Sequence, residues 1–264
     1  MDGGAEDELT LARNRAAFAE VELIPDVLRD VSDVDLTTML FGRRIAAPLM
    51  FAPTGMTRLF HPDGEAAVAR TAAAAGLPYA LSTMATTGFE AVARAGAGAP
   101  LAFQLYLFRD RGVAAEMLRR ARETGFETLI LTVDTVVPGN RQRDVRNGFR
   151  APPAITPRTF LHYASRPGWS LPAFGRRGME FAILREVLGE RAEVGTLFAF
   201  AAREVEPRLT WAELDWAVSL WDGPVAVKGL MTGADAARAR DHGASAVVVS
   251  NHGGRQLDGA PATL

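Results

Sequence analysis

The chain has 264 residues, with 29 basic and 31 acidic side chains and a net charge of −2. This length suits one sizeable α/β domain, and the balanced charge, without a basic stripe, gives nucleic-acid binding no electrostatic support. The absence of cysteine excludes disulfides, thiolate nucleophiles and Cys-ligated metal sites, and it is compatible with a cytoplasmic location.

Short apolar runs alternate with amphipathic stretches, a pattern typical of βα units around a parallel sheet. The apolar runs predict strands at residues 48–52, 79–81, 101–105, 128–133, 224–227 and 246–249. The amphipathic stretches predict helices at residues 64–75, 87–95, 113–124, 211–220 and 233–242. The three valines of the last run suit a strand covered on both faces. These βα units make up most of a TIM (β/α)₈ barrel, which we expect to be a single domain over residues 1–264.

Residues 151–207, between the fourth and fifth predicted strands, are too many for a simple βα loop. We expect a lid-like insertion over the mouth of the barrel, and its prolines oppose a continuous helix in its first half. Within it, residues 158–177 combine aromatic and basic side chains, which suits peripheral contact with a membrane surface. Such a segment is more often a surface loop with a few core anchors. No stretch has the ~18 uninterrupted apolar residues of a membrane-spanning helix.

Residues able to carry chemistry follow the last predicted strand, in Ser250-Asn251-His252-Gly253-Gly254-Arg255-Gln256-Leu257-Asp258. The glycine pair permits a tight turn, so His252 and Arg255 can face one cleft. An imidazole can take a proton near neutral pH, and a guanidinium can bind a carboxylate through two parallel hydrogen bonds. The pair suits a small hydroxy or keto acid, although His-Gly-Gly-Arg alone is equally compatible with a structural turn carrying a surface arginine.

Together with five other segments, this one resembles the FMN-dependent 2-hydroxy acid oxidases and dehydrogenases, the family of glycolate oxidase, lactate oxidase and dehydrogenase, and mandelate dehydrogenase. The other segments follow in the family's order: Ala52-Pro53-Thr54-Gly55 with His61-Pro62-Asp63-Gly64-Glu65, Leu81-Ser82-Thr83, Gln104-Leu105-Tyr106, Thr132-Val133-Asp134-Thr135 and Val227-Lys228-Gly229. One short motif can arise by chance, whereas this ordered set spans nearly the whole chain. The resemblance implies a TIM barrel with FMN as cofactor.

The resemblance also implies a role for each matched residue. His252 is expected to be the catalytic base, with Asp134 holding its imidazole. Arg255 is expected to bind the substrate carboxylate, with Tyr106 and Arg141 contacting the same group. For Arg141, the neighbouring charged residues are also typical of a solvated surface. The implied cofactor contacts are Lys228 at the N1–C2=O edge of the flavin, Ser82, Gln104 and Thr132 at the ring edge, and the backbone of Ala52, Pro53 and Thr54 near N5.

The expected reaction is oxidation of an (S)-2-hydroxy acid, lactate- or mandelate-like, to the 2-keto acid, with oxygen, a quinone or another carrier as electron acceptor. Met84 stands where plant glycolate oxidases carry Trp, which favours a side chain larger than that of glycolate. No Gly-x-Gly-x-x-Gly segment follows the first strand, which argues against a Rossmann NAD site. We expect a homo-oligomer, a tetramer or larger, and no metal.

Two departures from the family pattern leave alternatives open. The resembling enzymes have an active-site tyrosine on a helix before the Gly4-Ala5-Glu6-Asp7 match, and two further βα units that hold the flavin phosphate. We expect both to be absent from this chain. One alternative is therefore a non-catalytic flavin-binding remnant. Another is a different FMN barrel enzyme, such as a type-2 isopentenyl diphosphate isomerase.

Overall fold

The computed structural model describes residues 2–148, 156–174, 180–189 and 205–264. Helix α1 (Leu9–Ala19) and an antiparallel hairpin of β1 (Thr38–Leu40) and β2 (Arg43–Ile45) precede the main sheet. The main sheet consists of parallel strands that pair in sequence order: β3 (Tyr79–Ser82), β4 (Leu101–Tyr106), β5 (Thr128–Thr132), β6 (Val225–Leu230) and β7 (Ala246–Val249). Helices connect these strands, so the architecture is that of an α/β TIM barrel.

The helices that follow the hairpin are α2 (Gly64–Ala75), α3 (Phe89–Ala95), α4 (Arg111–Glu123), α5 (Gln142–Arg146), α6 (Pro157–Ala164), α7 (Pro167–Phe174), α8 (Ala182–Leu188), α9 (Trp211–Leu220) and α10 (Gly233–Asp241). Helix α4 illustrates why they form and how they pack. The side chain of Asp110 accepts hydrogen bonds from the first free backbone N–H groups of the helix, an N-cap. Its apolar residues recur at helical spacing and are buried against the sheet.

Successive side chains along each strand point to opposite faces of the sheet, and they form two apolar layers. The larger side chains, such as Phe103 and Leu129, face the helices. The smaller layer faces the barrel interior and consists of Ala80, Ala102, Ile130 and Ala226, with Phe41 of the β1–β2 turn packed against it. Because both faces are buried, the polar residues within these strands require specific partners.

Two sequence predictions about strands are wrong. The run at 48–52 forms a single parallel bridge, between Phe51 and Tyr79, because Pro48 has no N–H and the N–H of Leu49 turns back to the carbonyl of Ala47. Strand β7 is not covered on both faces, since Val247 and Val249 are 38% and 53% exposed. Helix α10 packs against β7 without covering these two side chains. The other predicted strands are confirmed.

The expectation of one domain with a lid-like insertion at 151–207 stays a prediction, because residues 151–155, 175–179 and 190–204 lie outside the described residues. Within the described part, α6 and α7 are separate short helices that each begin at a proline. This agrees with the expectation that the prolines oppose a continuous helix in this stretch. Helix α8 packs against α4. In the part of the chain that the structure describes, no helix has the length and apolarity needed to cross a bilayer.

Candidate active site

The carboxyl ends of the parallel strands surround a cleft of about 540 Å³. Most of the residues predicted from the sequence line this cleft, and the structure therefore brings them together. Of the remainder, Gln104 and Thr132 are buried and Asp134 is partly buried beside Lys228, whereas Ala52 is exposed and does not contribute to the lining. The lining consists of Pro53, Thr54, Gly55, Met56, Phe60, Ser82, Met84, Tyr106, Arg141, Phe181, Lys228, Ser250, His252, Gly253 and Arg255.

A histidine–carboxylate pair lies at the centre of the site. Nδ1 of His252 is 2.8 Å from Oδ1 of Asp134. An ionised carboxylate can only accept, so Nδ1 carries the proton and Nε2 keeps its lone pair. The hydroxyl of Tyr106 lies 3.4 Å from this Nε2. The imidazole is thus oriented to accept a proton on the side of Tyr106.

The loop after β7 aims His252 by an unusual backbone path. His252, Gly253 and Gly254 have φ angles of 58°, 67° and 70°, all left-handed. The glycines adopt this conformation without strain, whereas His252 does so at a cost that the surrounding contacts must offset. The side chain of Asn251 accepts a hydrogen bond from the Gly254 N–H at 3.1 Å and donates one to Asn14 of α1 at 2.8 Å. Sequence analysis predicted the tight turn but missed this asparagine pair, whose members are 237 residues apart.

Asp134 also faces a cation. Its Oδ2 lies 3.7 Å from Nζ of Lys228, and both side chains are largely buried. Burial lowers the pKa of Lys228, while the charge of Asp134 opposes that shift. Gly229 permits this approach, because a Cβ at its position would lie 2.7 Å from Cβ of Asp134, at a φ of 115°. The role of Gly229 was not apparent from the sequence.

The two predicted substrate arginines lie side by side. Arg255 donates through Nη1 to the carbonyl of Gly3 at 2.7 Å. Arg141 donates through Nε to the carbonyl of Arg255 at 3.3 Å and through Nη2 to Oε1 of Gln256 at 3.1 Å. Burial, and next the charge of Arg255, lower the pKa of Arg141. Two adjacent cations at a cleft form a strong site for an anion.

Polar atoms under the cleft test whether the residues fit a flavin ring. Ser82 donates to Oε1 of Gln104 at 3.0 Å, but Nε2 of Gln104 and Oγ1 of Thr132 are buried without a hydrogen-bond partner. Leaving such atoms unpaired costs about 1–3 kcal/mol each, which is typical of groups that await a ligand. Thr132 pairs in register with Lys228, so a hydroxyl and a cation lie on neighbouring strands. These groups match the polar edge of an isoalloxazine ring, which carries carbonyl and ring-nitrogen groups.

The fold and the cleft together define an α/β barrel with a histidine–carboxylate pair, an arginine pair and unsatisfied polar atoms at its mouth. The chain belongs to the FMN-dependent dehydrogenase family, whose sequence profile matches residues 1–264. A putative L-lactate dehydrogenase of Mycobacterium tuberculosis is 44% identical over 261 residues, covering 98% of this chain and 61% of that protein. The glycolate oxidase of Spinacia oleracea is 40% identical over 261 residues, covering 99% and 65%. The chain thus spans less than two thirds of the length of these relatives.

Solved structures give the same result. The monotopic membrane protein (S)-mandelate dehydrogenase superposes with a TM-score of 0.91 at 38% identity, covering 99% of this chain and 69% of that one. A mandelate oxidase superposes with a TM-score of 0.75 at 39% identity, covering 98% and 64%. The TIM-barrel class and FMN as the family's cofactor, both expected from the sequence, are confirmed.

Proposed function

We propose that this chain carries the catalytic site of an enzyme that oxidises an (S)-2-hydroxy acid, lactate- or mandelate-like, to the 2-keto acid. The observation that carries the proposal is the placement of the His252–Asp134 pair and the Arg141–Arg255 pair around one cleft. When bound, FMN would supply the acceptor for a hydride equivalent. Membership of an FMN-dependent family supports this assignment.

In this proposal the arginines hold the substrate carboxylate. Arg255 and Arg141 together provide paired N–H donors, which bind a carboxylate with defined geometry. Tyr106 adds a neutral donor. Burial, and next the charge of Asp134, raise the pKa of Tyr106, so its hydroxyl stays protonated throughout the physiological range. The hydroxyl-bearing carbon is then placed near His252.

His252 acts as the base. Its Nε2 accepts the proton released as the substrate is oxidised, and Asp134 stabilises the resulting imidazolium through Nδ1. With FMN bound, Lys228 would supply a positive charge to the ring edge where negative charge collects. Ser82, Gln104 and Thr132 would hydrogen-bond the same edge, and the backbone of Pro53 and Thr54, which lines the cleft, would contact the ring.

Apolar residues of the cleft support a substrate with a sizeable side chain. Met56, Phe60, Met84 and Phe181 line it. Two of these are methionines, which adapt to ligands of different shape. A lactate- or mandelate-like acid gains burial there that glycolate cannot. The mandelate-oxidising structures to which this chain is similar support the same choice.

Anaerobic titration of the FMN-loaded protein with glycolate, L-lactate, (S)-mandelate and (R)-mandelate tests the proposal. We expect L-lactate or (S)-mandelate to bleach the flavin absorbance. (R)-mandelate should not, because its C2 has the opposite configuration, and glycolate should do so less, because it has no side chain to bury among the apolar residues of the cleft. A yellow protein that no hydroxy acid bleaches would support the non-catalytic alternative. Reoxidation on admitting air would identify oxygen as the electron acceptor, and persistence of the reduced form would favour a quinone or another carrier.

The isomerase alternative requires a diphosphate site in place of a carboxylate site, and the named relatives are oxidases and dehydrogenases.

Peripheral membrane contact belongs to the proposal. Phe160, Leu161 and Leu171 of α6 and α7 are exposed, and the mandelate dehydrogenase structure is described as monotopic. Co-sedimentation with anionic phospholipid vesicles, compared with a Leu161→Asp variant, tests this contact. A cytoplasmic protein without such contact would remain in the supernatant.

A further inference from the structure

Gln256 connects the two loops that carry the arginines. Its Oε1 accepts from Nη2 of Arg141 at 3.1 Å and from the backbone N–H of Gly139 at 3.3 Å. Its Nε2 donates to the carbonyl of Val137 at 3.0 Å. Rotating the amide by half a turn would place its NH₂ against two donors. The side-chain orientation is therefore fixed by its partners.

Arg141 depends on this contact. Its Nε is held by the carbonyl of Arg255 and its Nη2 by Gln256, and Nη1 makes no hydrogen bond to any residue that the structure describes. The two loops touch directly, since a Cβ at Gly139 would lie 2.1 Å from the Arg255 carbonyl oxygen. Within the described residues, both hydrogen bonds of the Arg141 side chain therefore go to the segment that contains Arg255.

We propose that Gln256 is a positioning residue for anion binding, which holds the guanidinium of Arg141 beside Arg255 so that both bind one carboxylate. The inference rests on the proposed function, in which the arginine pair binds the substrate. A neutral amide suits this role because it directs Arg141 without neutralising it. A glutamate in its place would form an ion pair with Arg141 and compete with the carboxylate of the ligand.

The test measures binding of oxalate, a planar dianion of the size of a 2-keto acid, to the FMN-loaded full chain by isothermal titration calorimetry. The variants are Gln256→Glu, which keeps an acceptor but adds charge, and Gln256→Met, which removes the hydrogen bonds. Gln142→Glu is the matched control. It adds the same charge next to Arg141 in sequence, at a side chain that bonds Glu6 and Arg146 and not Arg141.

We expect Gln256→Glu to weaken oxalate binding at least about tenfold, the effect of losing one charge-assisted contact. Gln256→Met should weaken it less than Gln256→Glu does but by more than about twofold, because Arg141 loses the acceptor that holds it beside Arg255. Gln142→Glu should stay within about twofold of the parent protein. A residue that only connects loops would give the opposite order, with methionine worse than glutamate. That order, equal losses in both glutamate variants, or either Gln256 variant within twofold of the parent would overturn the inference.

Melting temperatures identify any variant that fails to fold. If only one Gln256 variant folds, its oxalate affinity is still compared with those of the parent protein and of Gln142→Glu. The measurement needs no turnover. If oxalate binding follows the expected order but no hydroxy acid bleaches the flavin, the proposed oxidation is refuted. The role of Gln256 in anion binding then stands. Absence of oxalate binding by the parent protein would refute the role of Gln256 whatever the bleaching assay gives.

Discussion

Two histidines of this chain pair with carboxylates at the same distance, and they differ in what surrounds them. His252 contacts Asp134 at 2.8 Å within the cleft, and His242 contacts Asp215 at 2.8 Å on the outer helices. The pairing itself is therefore not the mark of a catalytic base. What distinguishes His252 is the neighbouring arginine pair and Tyr106, which provide a place for a reacting molecule.

This contrast supplies a matched experiment. His252→Asn should keep FMN and lose flavin reduction by about 10²–10⁴-fold, because no group remains to accept the proton. His242→Asn removes an imidazole from an equivalent pair outside the cleft. Its flavin should be reduced at a rate within about twofold of the parent rate. Stopped-flow absorbance under anaerobic conditions measures both. Near-normal reduction by His252→Asn would exclude it as the base.

Lys228 shows a conflict between stability and binding. Since burial lowers its pKa from 10.5, the folded protein holds this proton less tightly than the unfolded chain does. The charged lysine therefore destabilises the fold below the folded-state pKa, and this penalty fades as pH rises towards 10.5. Lys228→Met should melt at the same or a higher temperature than the parent near neutral pH, with the difference shrinking at higher pH.

The affinity for FMN should fall in Lys228→Met, because in the proposed function this lysine is the cation that faces the flavin ring. Flavin fluorescence on titration of the apoprotein measures that affinity. Arg240→Met, an exposed cation of α10, is the control and should leave both quantities unchanged. A Lys228→Met protein that melts lower and still binds FMN as well as the parent would contradict this account.

At the scale of elements, a buried carboxylate joins two loops of the barrel mouth. Glu65 of α2 is fully buried and accepts hydrogen bonds from the backbone N–H groups of Thr57 and Thr86, at 3.1 and 2.9 Å, and from the Thr87 hydroxyl at 2.7 Å. The same loops meet where the N–H of Met56 donates to the carbonyl of Met84 at 2.8 Å. Glu65 therefore fixes the shape of one wall of the cleft.

Glu65→Gln should destabilise the protein by about 1–3 kcal/mol, because the charge-assisted hydrogen bonds that the carboxylate accepts from backbone N–H groups and threonine hydroxyls become weaker neutral ones. For a chain of this size that corresponds to a fall in melting temperature of several degrees, at roughly 2–4 °C per kcal/mol. Glu22→Gln, at an exposed position, should have no measurable effect. Differential scanning calorimetry of the two variants decides, and equal melting temperatures would show that Glu65 contributes nothing.

Most helices and strands could be predicted from the sequence, because periodicity is a local property. The candidate site residues could be placed at the ends of these strands for the same reason. The approach of Asp134, just after β5, to Lys228 in the neighbouring β6 followed from the predicted strand order. Contacts such as Asn251 with Asn14, Gln256 with Arg141, and Glu65 with Thr86 could not be predicted. Each joins segments whose approach depends on the folded chain, and no local pattern in a single sequence specifies such a pair.

At the scale of the whole molecule, the distribution of apolar surface predicts association. Leu23, Ile24 and Leu28 are more than 90% exposed, within the irregular segment between α1 and the β1–β2 hairpin. Val249 of β7, the last strand in the order of the described sheet, is also exposed. Contiguous exposed apolar residues and an uncovered strand are typical of surfaces that bind other protein.

We therefore expect the chain to form an assembly larger than its 28.3 kDa protomer, in line with the homo-oligomer predicted from the sequence. Light scattering after gel filtration measures the mass. Ile24→Lys combined with Val249→Lys should lower it, because burying these charges at an interface is costly. The control pair is Arg15→Ala with Arg29→Ala, which changes exposed charges nearby without adding apolar surface of comparable size. A protomer mass for the parent at all concentrations, or an unchanged assembly in the lysine variant, would show that these surfaces do not drive association.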